Sequence, residues 1–574
     1  MATLAMQKEL QRVALRTSLP AASETDRCMA QAQTQTYDDI IIGAGSAGCV
    51  LAARLTEDKT RKVLLLEAGG KDDHPYVRMP LGFLRAMLIP KHTWGYESEP
   101  EPHLNNRPMR LPRGKLLGGS SSINGMFYMR GHPRDYDTWR QMGCDGWGYA
   151  DVLPYFKKME TSWRGAGKYH GGNGPLNVVP IDTRRLLHDP LMETAAAAGY
   201  PVSDDLSGPH AEGFSKGEVT IDKRGRRAST SRAYLHPAMH RPNLTVEIEA
   251  LTTRVLIENG RAVGVEYSKD GQLHQARAER EVILSGGVYN SPQLLMLSGI
   301  GPAEQLHEHG IVPIVDLPGV GKNLSEHPVV MMQFLARLPN TFLRELRYDR
   351  AALWTAQWAL FGNGPFSTQI NSCNVVIRTA PGLEQPDIQL MCNPIRMDAQ
   401  MWFPGLTKQL QHSFQVGVVL LHPHSRGKVT LRSASPLDSP RVNLNLMASP
   451  VEFEMMRRGI REARRIYRTD PQGQLTGAET MPGPEADSDE ALDAFIRQFT
   501  NGCQHPVGTC TMGSGPDAVV DSELKVHGIE GLRVVDASIM PTVPGANTNA
   551  SAIMIGEKAA DMILGRRLPP EEGV

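Results

Sequence analysis

One stretch restricts the fold of this chain more than any other. Tyr37-Asp38-Asp39-Ile40-Ile41-Ile42 is an apolar run, Gly43-Ala44-Gly45-Ser46-Ala47-Gly48 follows it, and a second apolar run, Lys62-Val63-Leu64-Leu65-Leu66, ends on Glu67. The pattern predicts a strand, a glycine-rich turn, a helix and a second strand closed by a carboxylate. Gly43 permits the tight turn, Gly45 lets the backbone approach a pyrophosphate, and Gly48 lets helix and strand pack closely. The N–H groups and positive dipole end of the helix then face phosphates. Glu67 can accept from both hydroxyls of an adenosine ribose. With 55 glycines in the chain, the glycine spacing alone is weak; framed by two strands and Glu67, it points to a dinucleotide.

The rest of the composition sets limits. At 574 residues the chain has room for about four domain-sized units or two large discontinuous lobes. The 61 basic and 62 acidic residues leave a formal charge of −1, which argues against a nucleic-acid surface. The densest basic run, Arg457 to Arg465, carries Met456, Ile460, Ala463 and Tyr467 at helical spacing and reads as the solvated face of an amphipathic helix. Seven irregularly spaced cysteines form no disulfide framework and suit a reducing, cytoplasmic compartment. Cys503, His505 and Cys510 lack a second ligand pair at zinc-like spacing, so no metal is expected. No run of 18 apolar residues is present to span a bilayer. Residues 1–36 lack the apolar core of a secretory signal and read as a poorly ordered extension. Glu9, Glu24 and Asp26 weigh against a cleaved transit segment there.

The pattern along the chain predicts an α/β protein (α+β overall) with lobes discontinuous in sequence: a Rossmann-like dinucleotide lobe over 37–330 with some segments of the second lobe inserted, a second lobe of sheets and helices over 331–500, and a return to the first lobe over 501–568. Gly114 to Met126 packs two adjacent glycines and three serines between Leu116, Leu117, Ile123 and Met126. That is a buried turn able to hug a flat or anionic ligand. Residues 244–284 alternate like strands, and Ser291–Leu297 reads as a helix opened by Pro292 and capped by Gly299. A final helix is expected from about Ser551 to Leu564. The amphipathic stretch 342–361 reads as a core-facing helix, with peripheral contact to a membrane surface as the alternative. Met391, Met397, Met401, Trp402 and Phe403 form a soft apolar cluster, fit for core or for the wall of an apolar pocket. His505, held before Pro506 in a glycine-rich turn, is a candidate base.

Five separated segments, taken in order, resemble the glucose–methanol–choline (GMC) oxidoreductases: the Gly43–Glu67 unit, Gly114–Met126, Ser291–Gly301, His505-Pro506-Val507-Gly508-Thr509, and Asn547-Thr548-Asn549. The look is nearest to bacterial choline-dehydrogenase-like and aliphatic alcohol dehydrogenases. Val288 departs from the small residue usual in the second family signature. The resemblance implies a non-covalently bound FAD. Gly43, Gly45, Ser46, Ala47 and Gly48 would meet the pyrophosphate, with Glu67 and Ala68 at the ribose. Arg113, Gly118, Gly119, Ser120, Asn124, Gly125 and Met126 would line the flavin. Val255 would contact the adenine side through its backbone, Asp536 and Ala537 the ribityl chain, and Asn547, Thr548 and Asn549 the flavin ring. His505 would be the base and Asn547 its partner. Some members carry a covalently linked His at the position of Ile123, where an Ile cannot form that bond.

The same resemblance implies oxidation of a small-molecule primary alcohol by proton abstraction and hydride transfer to flavin; the apolar cluster Met391, Met397, Met401, Trp402 and Phe403, with no obvious cluster of carboxylates to hold a quaternary ammonium, points to an aliphatic or aromatic alcohol over choline or a sugar. Electrons would then pass to a quinone-like acceptor; an oxidase using dioxygen is the close alternative. Cyanohydrin lyases and fatty-acid photodecarboxylases are related, but the decarboxylases lack the His at the position of His505. A non-catalytic flavoprotein would be expected to lack His505 or Asn547, and both are present.

Overall fold

The computed structural model describes residues 35–407 and 409–574; the N-terminal extension expected over 1–36 lies outside them, apart from its last two residues. The first sheet is built on β1 (Gln35–Ile42) and β2 (Val63–Glu67), with helix α1 (Ser46–Leu55) between them. Both strands are buried along their apolar runs, as expected of parallel strands covered on two faces. They pair in parallel from Asp39↔Val63 to Ile42↔Leu66. Further strands are β3 (Leu244–Ile248), β4 (Leu251–Glu258), β5 (Arg261–Lys269) and β6 (Gln272–Leu284), in the order β4-β5-β6-β1-β2-β3. The short strand Leu532–Val534 joins the end of β6 in parallel. Helix α2 (Asn290–Leu297) follows β6, and Gly299 just beyond it adopts φ +81°.

The close turn after β1 has a steric cause. A Cβ on Gly48 would lie 1.9 Å from the Gly43 carbonyl oxygen, and one on Gly43 would lie 2.4 Å from that of Ser285. Only glycine lets α1 start this near the strand ends.

A second sheet is antiparallel: β7 (Pro328–Ala336), β8 (Cys373–Ile377), β9 (Ile388–Asn393), β10 (Ser413–Leu420) and β11 (Thr476–Met481), in the order β11-β7-β10-β9-β8. Gly213–Ser215 extends it beyond β8, and Asn501–Gly502 pairs with β7. The expected boundary at 330/331 falls inside β7, so both Gly213–Ser215 and Pro328–Val330 of the expected first lobe stand in the second sheet.

Two helices of this lobe correct the sequence reading. Helix α3 (Tyr348–Phe361) was expected to face the core, yet Ala351 is its one buried residue, and Leu353, Leu360 and Phe361 are exposed. Phe342 and Leu343 just before it are buried, while Trp354 and Trp358 are half-buried and spend their indole N–H groups on Glu345 and the Gly225 carbonyl. The apolar residues of the stretch therefore divide between core and surface. Helix α4 (Pro450–Arg468) packs Met456, Ile460, Ala463 and Tyr467 against the second sheet, with Tyr467 stacked on Phe334 at 5.0 Å. Its basic run is not wholly solvated, because Arg464 is buried against Glu479 at 2.8 Å. Helix α5 (Asn549–Ile563) closes the chain's return to the first lobe.

Candidate active site

The ends of β1, β2 and β6 and the N-termini of α1 and α5 open onto one cavity of about 550 Å³. Neither helix has a side-chain cap or an acidic residue in its first turn, so their N-terminal N–H groups face the cavity without a protein anion. The two ends meet where the Ser46 hydroxyl donates to Asn549 Oδ1 at 2.8 Å. Such paired N-termini favour anionic ligand groups. At the β2 end, Glu67 accepts the N–H groups of Ala44 and Gly69 at 2.9 and 2.8 Å. Each oxygen keeps a second lone pair for a ribose hydroxyl. Burial pushes this carboxyl up to about 7, against the lowering by those two N–H groups.

Gly114–Met126 forms the opposite rim. Gly119 opens a short 3-10 helix through Ser122, and a Cβ on Gly119 would lie 2.9 Å from the Gly45 Cα. Gly43, Gly45, Ser46, Ala47, Glu67, Ala68, Arg113, Gly119, Ser120, Asn124, Gly125, Met126, Asp536, Ala537, Asn547, Thr548 and Asn549 all line the cavity with His505. Three expected residues do not. Gly48 and Gly118 stand behind it as steric hinges; a Cβ on Gly118 would meet the Ser122 hydroxyl at 2.3 Å. Val255 turns into the core, its N–H donated to the Ser298 hydroxyl at 2.9 Å. The register of β4 shifts between Thr252 and Arg254, and such an irregularity changes which residue faces which side. Ala250, Leu251 and Thr252 line the cavity instead.

His505 stands deep in the cavity beside the start of β7. Its Nε2 lies 3.0 Å from Asn547 Nδ2, and its Nδ1 lies 3.1 Å from His327 Nδ1. With the Asn547 amide assigned this way round, its N–H donates to Nε2. A neutral His505 then carries its proton on Nδ1 and donates it to His327, and the single lone pair on Nε2, at the cavity lining, accepts from Asn547 until a substrate hydroxyl takes the place of that amide N–H. Burial, helped by the Arg113 charge, pushes His505 down to about 3, and burial together with repulsion from His505 holds His327 well below the ordinary range. Behind the ring, Glu326 Oε1 accepts the His505 backbone N–H at 2.7 Å, and burial raises that carboxyl to about 7. Arg113 donates to the Gln504 carbonyl and side chain at 3.1 and 2.8 Å, fixing the turn that presents His505. His327 and Glu326 were not picked out from the sequence. The dipeptide His327-Pro328, matching His505-Pro506, was the available signal.

One wall of the cavity is largely apolar. Val329 and Met331 of β7, Met391 of β9, Met397 and Phe127 line it. Of the five residues in the expected apolar cluster, Met391 and Met397 reach the cavity. Met401 is exposed, and Trp402 packs toward Leu343, to whose carbonyl its indole N–H donates at 3.0 Å. The carboxylates lining the cavity are Glu67, Asp438 and Asp536. Asp536 is committed to Gly287, Ser291 and Ser538, and Asp438 to Ser433.

Two GMC oxidoreductase family models match the chain, one over residues 37–329 and one over 423–556. The chain belongs to this family and is an oxidoreductase acting on CH–OH donors. It is 45% identical over 533 residues to an oxygen-dependent choline dehydrogenase of Sinorhizobium fredii, covering 92% of this chain and 96% of the relative. It is 43% identical over 548 residues to the mitochondrial choline dehydrogenase of Mus musculus, covering 94% and 91%. A formate oxidase variant of Aspergillus oryzae, studied for FAD modification, superposes with a TM-score of 0.86 at 29% identity, covering 92% and 98%.

Proposed function

We propose that the protein is an FAD-dependent dehydrogenase of apolar primary alcohols, with FAD held non-covalently. The donor set supports FAD: two uncapped helix N-termini for the pyrophosphate, Glu67 with lone pairs to spare for the ribose, and glycines where a Cβ would intrude. Ile123, buried beside Val77, Ala86 and Leu116, offers no nucleophile for a covalent link. The observation that carries the reading is the His505–Asn547 pair inside a dinucleotide cavity with one largely apolar wall.

When bound, FAD supplies the hydride acceptor, and the protein supplies position and electrostatics. His505 Nε2 takes the hydroxyl proton, which turns a poor hydride donor into a good one. Asn547 holds the alcohol oxygen beside that nitrogen. The methionine wall excludes water from the carbinol carbon. No carboxylate among the described residues of that wall is free to hold a quaternary ammonium, which favours apolar alcohols over choline. For the electrons leaving the flavin we favour a quinone-like acceptor. The exposed Leu353, Leu360 and Phe361 of α3 offer peripheral contact with a membrane surface where quinones reside, and no helix among the described residues is long and apolar enough to cross a membrane. The oxygen-dependent choline dehydrogenase of Sinorhizobium fredii, as a relative, keeps dioxygen as the second reading.

The test is anaerobic titration of the purified yellow protein with hexanol, benzyl alcohol, choline and glucose. The first two should bleach the flavin with the higher catalytic efficiency. A clear win for choline or glucose overturns the substrate reading, and no bleaching by any alcohol overturns the reaction.

A further inference from the structure

Gln415 of β10 is buried and lines the cavity on the same wall as the methionines. Its Oε1 accepts the Met397 backbone N–H at 2.8 Å. That bond fixes the amide, because the reversed orientation would set two donors against each other. Nε2 therefore points away from Met397, and no described residue accepts from it. Nε2 is open to the cavity rather than sealed in the core, so its N–H borders the space a substrate would fill and is free to donate there.

The sheet register shows how far this group stands from the row nearest His505. Val329 pairs with Val419, Met331 with Gly417, and Gln333 with Gln415; on the other side Met391 pairs with Gly417 and Asn393 with Gln415. Residues paired in this way share a face. The wall thus rises in rows from the His505 end: Val329, then Met331 and Met391 folded over Gly417, then Gln415 beside Asn393. A Cβ on Gly417 would lie 3.1 Å from Met391 Cε and 3.3 Å from Met331 Sδ, so the glycine is what lets the two thioethers close the middle row. Four residues separate the first row from the third, about 13 Å at the rise of a strand. Asn393 makes hydrogen bonds only at the limit of reach, 3.4 Å to the Met391 carbonyl and 3.5 Å from Asn371. Arg113 is the one cation lining the cavity among the described residues, and it is tied to the Gln504 turn. An anionic group at the far row would therefore have no counter-charge.

We infer that the substrate is an alcohol with an apolar middle and a neutral hydrogen-bond acceptor, an ether or carbonyl oxygen, at its far end, about 13 Å beyond the Val329 row, and that Gln415 Nε2 binds that acceptor. The inference rests on the alcohol-dehydrogenase reading and narrows its substrate class. Plain alkanols fill the apolar rows but leave the amide unpaired. Alcohols bearing the acceptor at the right length satisfy it.

The experiment compares kcat/KM for ω-methoxyalkan-1-ols with n-alkanols of equal length, in a graded series. In the wild-type holoenzyme the methoxy-to-alkyl ratio should pass through a maximum of about three- to tenfold, the worth of one neutral hydrogen bond, at the length that spans the three rows. Gln415→Met should bring that ratio to about one at every length. If Gln415 serves only to hold Met397, the substitution depresses both series together and the ratio persists, which overturns the assignment. A flat wild-type ratio at all lengths overturns it without any variant. If no alcohol of either series reduces the flavin, the reaction itself has been misread, and that outcome is distinct from turnover without a length preference.

Discussion

The pH profile of flavin reduction tests the proposed base most directly. An ordinary imidazole titrates near 6.5, so at pH 5 only about 3% of it would be free to accept a proton, and the rate would fall about 30-fold below its plateau. His505 is not ordinary. Burial, with the Arg113 charge adding to it, pushes its pKa down to about 3. The sign follows from which form works: the base acts when neutral, so the rate is lost only as pH falls through the folded value. At pH 5 about 1% of His505 is protonated, and the reductive rate should be flat from pH 5 to 9. The measurement is anaerobic stopped-flow reduction at saturating alcohol. Glu326, raised to about 7 behind the ring, is the nearest group able to imitate a histidine limb, so the profile is repeated in Glu326→Gln, whose side-chain oxygen can still accept the His505 N–H. His505→Ala should slow reduction by about 10²- to 10⁴-fold, or about 3–5 kcal/mol of barrier. An acid limb near 6.5 that survives Glu326→Gln would refute the buried, neutral base, and near-normal reduction in His505→Ala would refute the base itself.

Acid precipitation should release all the flavin into the supernatant, because Ile123 offers no nucleophile; flavin retained in the pellet would contradict this. Gly48→Ala should destabilise the first lobe by about 3 kcal/mol or more, since its Cβ would lie 1.9 Å from the Gly43 carbonyl oxygen; near-normal flavin content per chain and an unchanged melting temperature would count against the steric account of the turn. Turnover with a soluble quinone analogue should exceed turnover in air-saturated buffer. Stoichiometric hydrogen peroxide at an equal or greater rate would make the enzyme an oxidase.

What the sequence disclosed and what it hid divide along physical lines. The unit from Ile40 to Glu67 was legible because each part is local: apolar runs, glycines at fixed spacing and a carboxylate at a strand end all lie within 28 consecutive residues. His505 and Asn547 were legible through family resemblance, and they meet at 3.0 Å. Val255, expected at the adenine through its backbone, spends its N–H on the Ser298 hydroxyl, a partner 43 residues on that the local pattern does not announce, and Ala250, Leu251 and Thr252 line the cavity. Met401 to Phe403 misled because closeness in sequence was taken for closeness in space; the indole of Trp402 is drawn to the Leu343 carbonyl instead. The apolar residues of α3 were read as core because the sequence does not say which apolar residues find a neighbour. Gln415 carried no sequence signal, since its meaning comes from β7 and β9 on either side of β10 and from the backbone of Met397.

The relatives named for choline and the wall seen here bear on different parts of the molecule. Identity near 45% over nearly the whole chain fixes the family and the reaction class, because sheet, turn and dinucleotide cavity must be kept together for either to exist. Specificity rests on a few side chains, and overall identity says nothing about which ones stand on the wall. A quaternary ammonium is held by aromatic faces or by a free carboxylate. On the apolar wall the rows are Val329, then Met331 with Met391, then the Gln415 amide. Thioethers are polarizable and adaptable but carry no charge, and an amide N–H turned to the substrate repels a cation. On those three rows a choline headgroup would lose its water for thioethers and an amide alone, the aromatic residues that line the cavity, Phe83, Trp94, Tyr96, Phe127 and Tyr289, standing outside them. That penalty is the physical reason to expect a long neutral alcohol, and the comparison of hexanol with choline measures it.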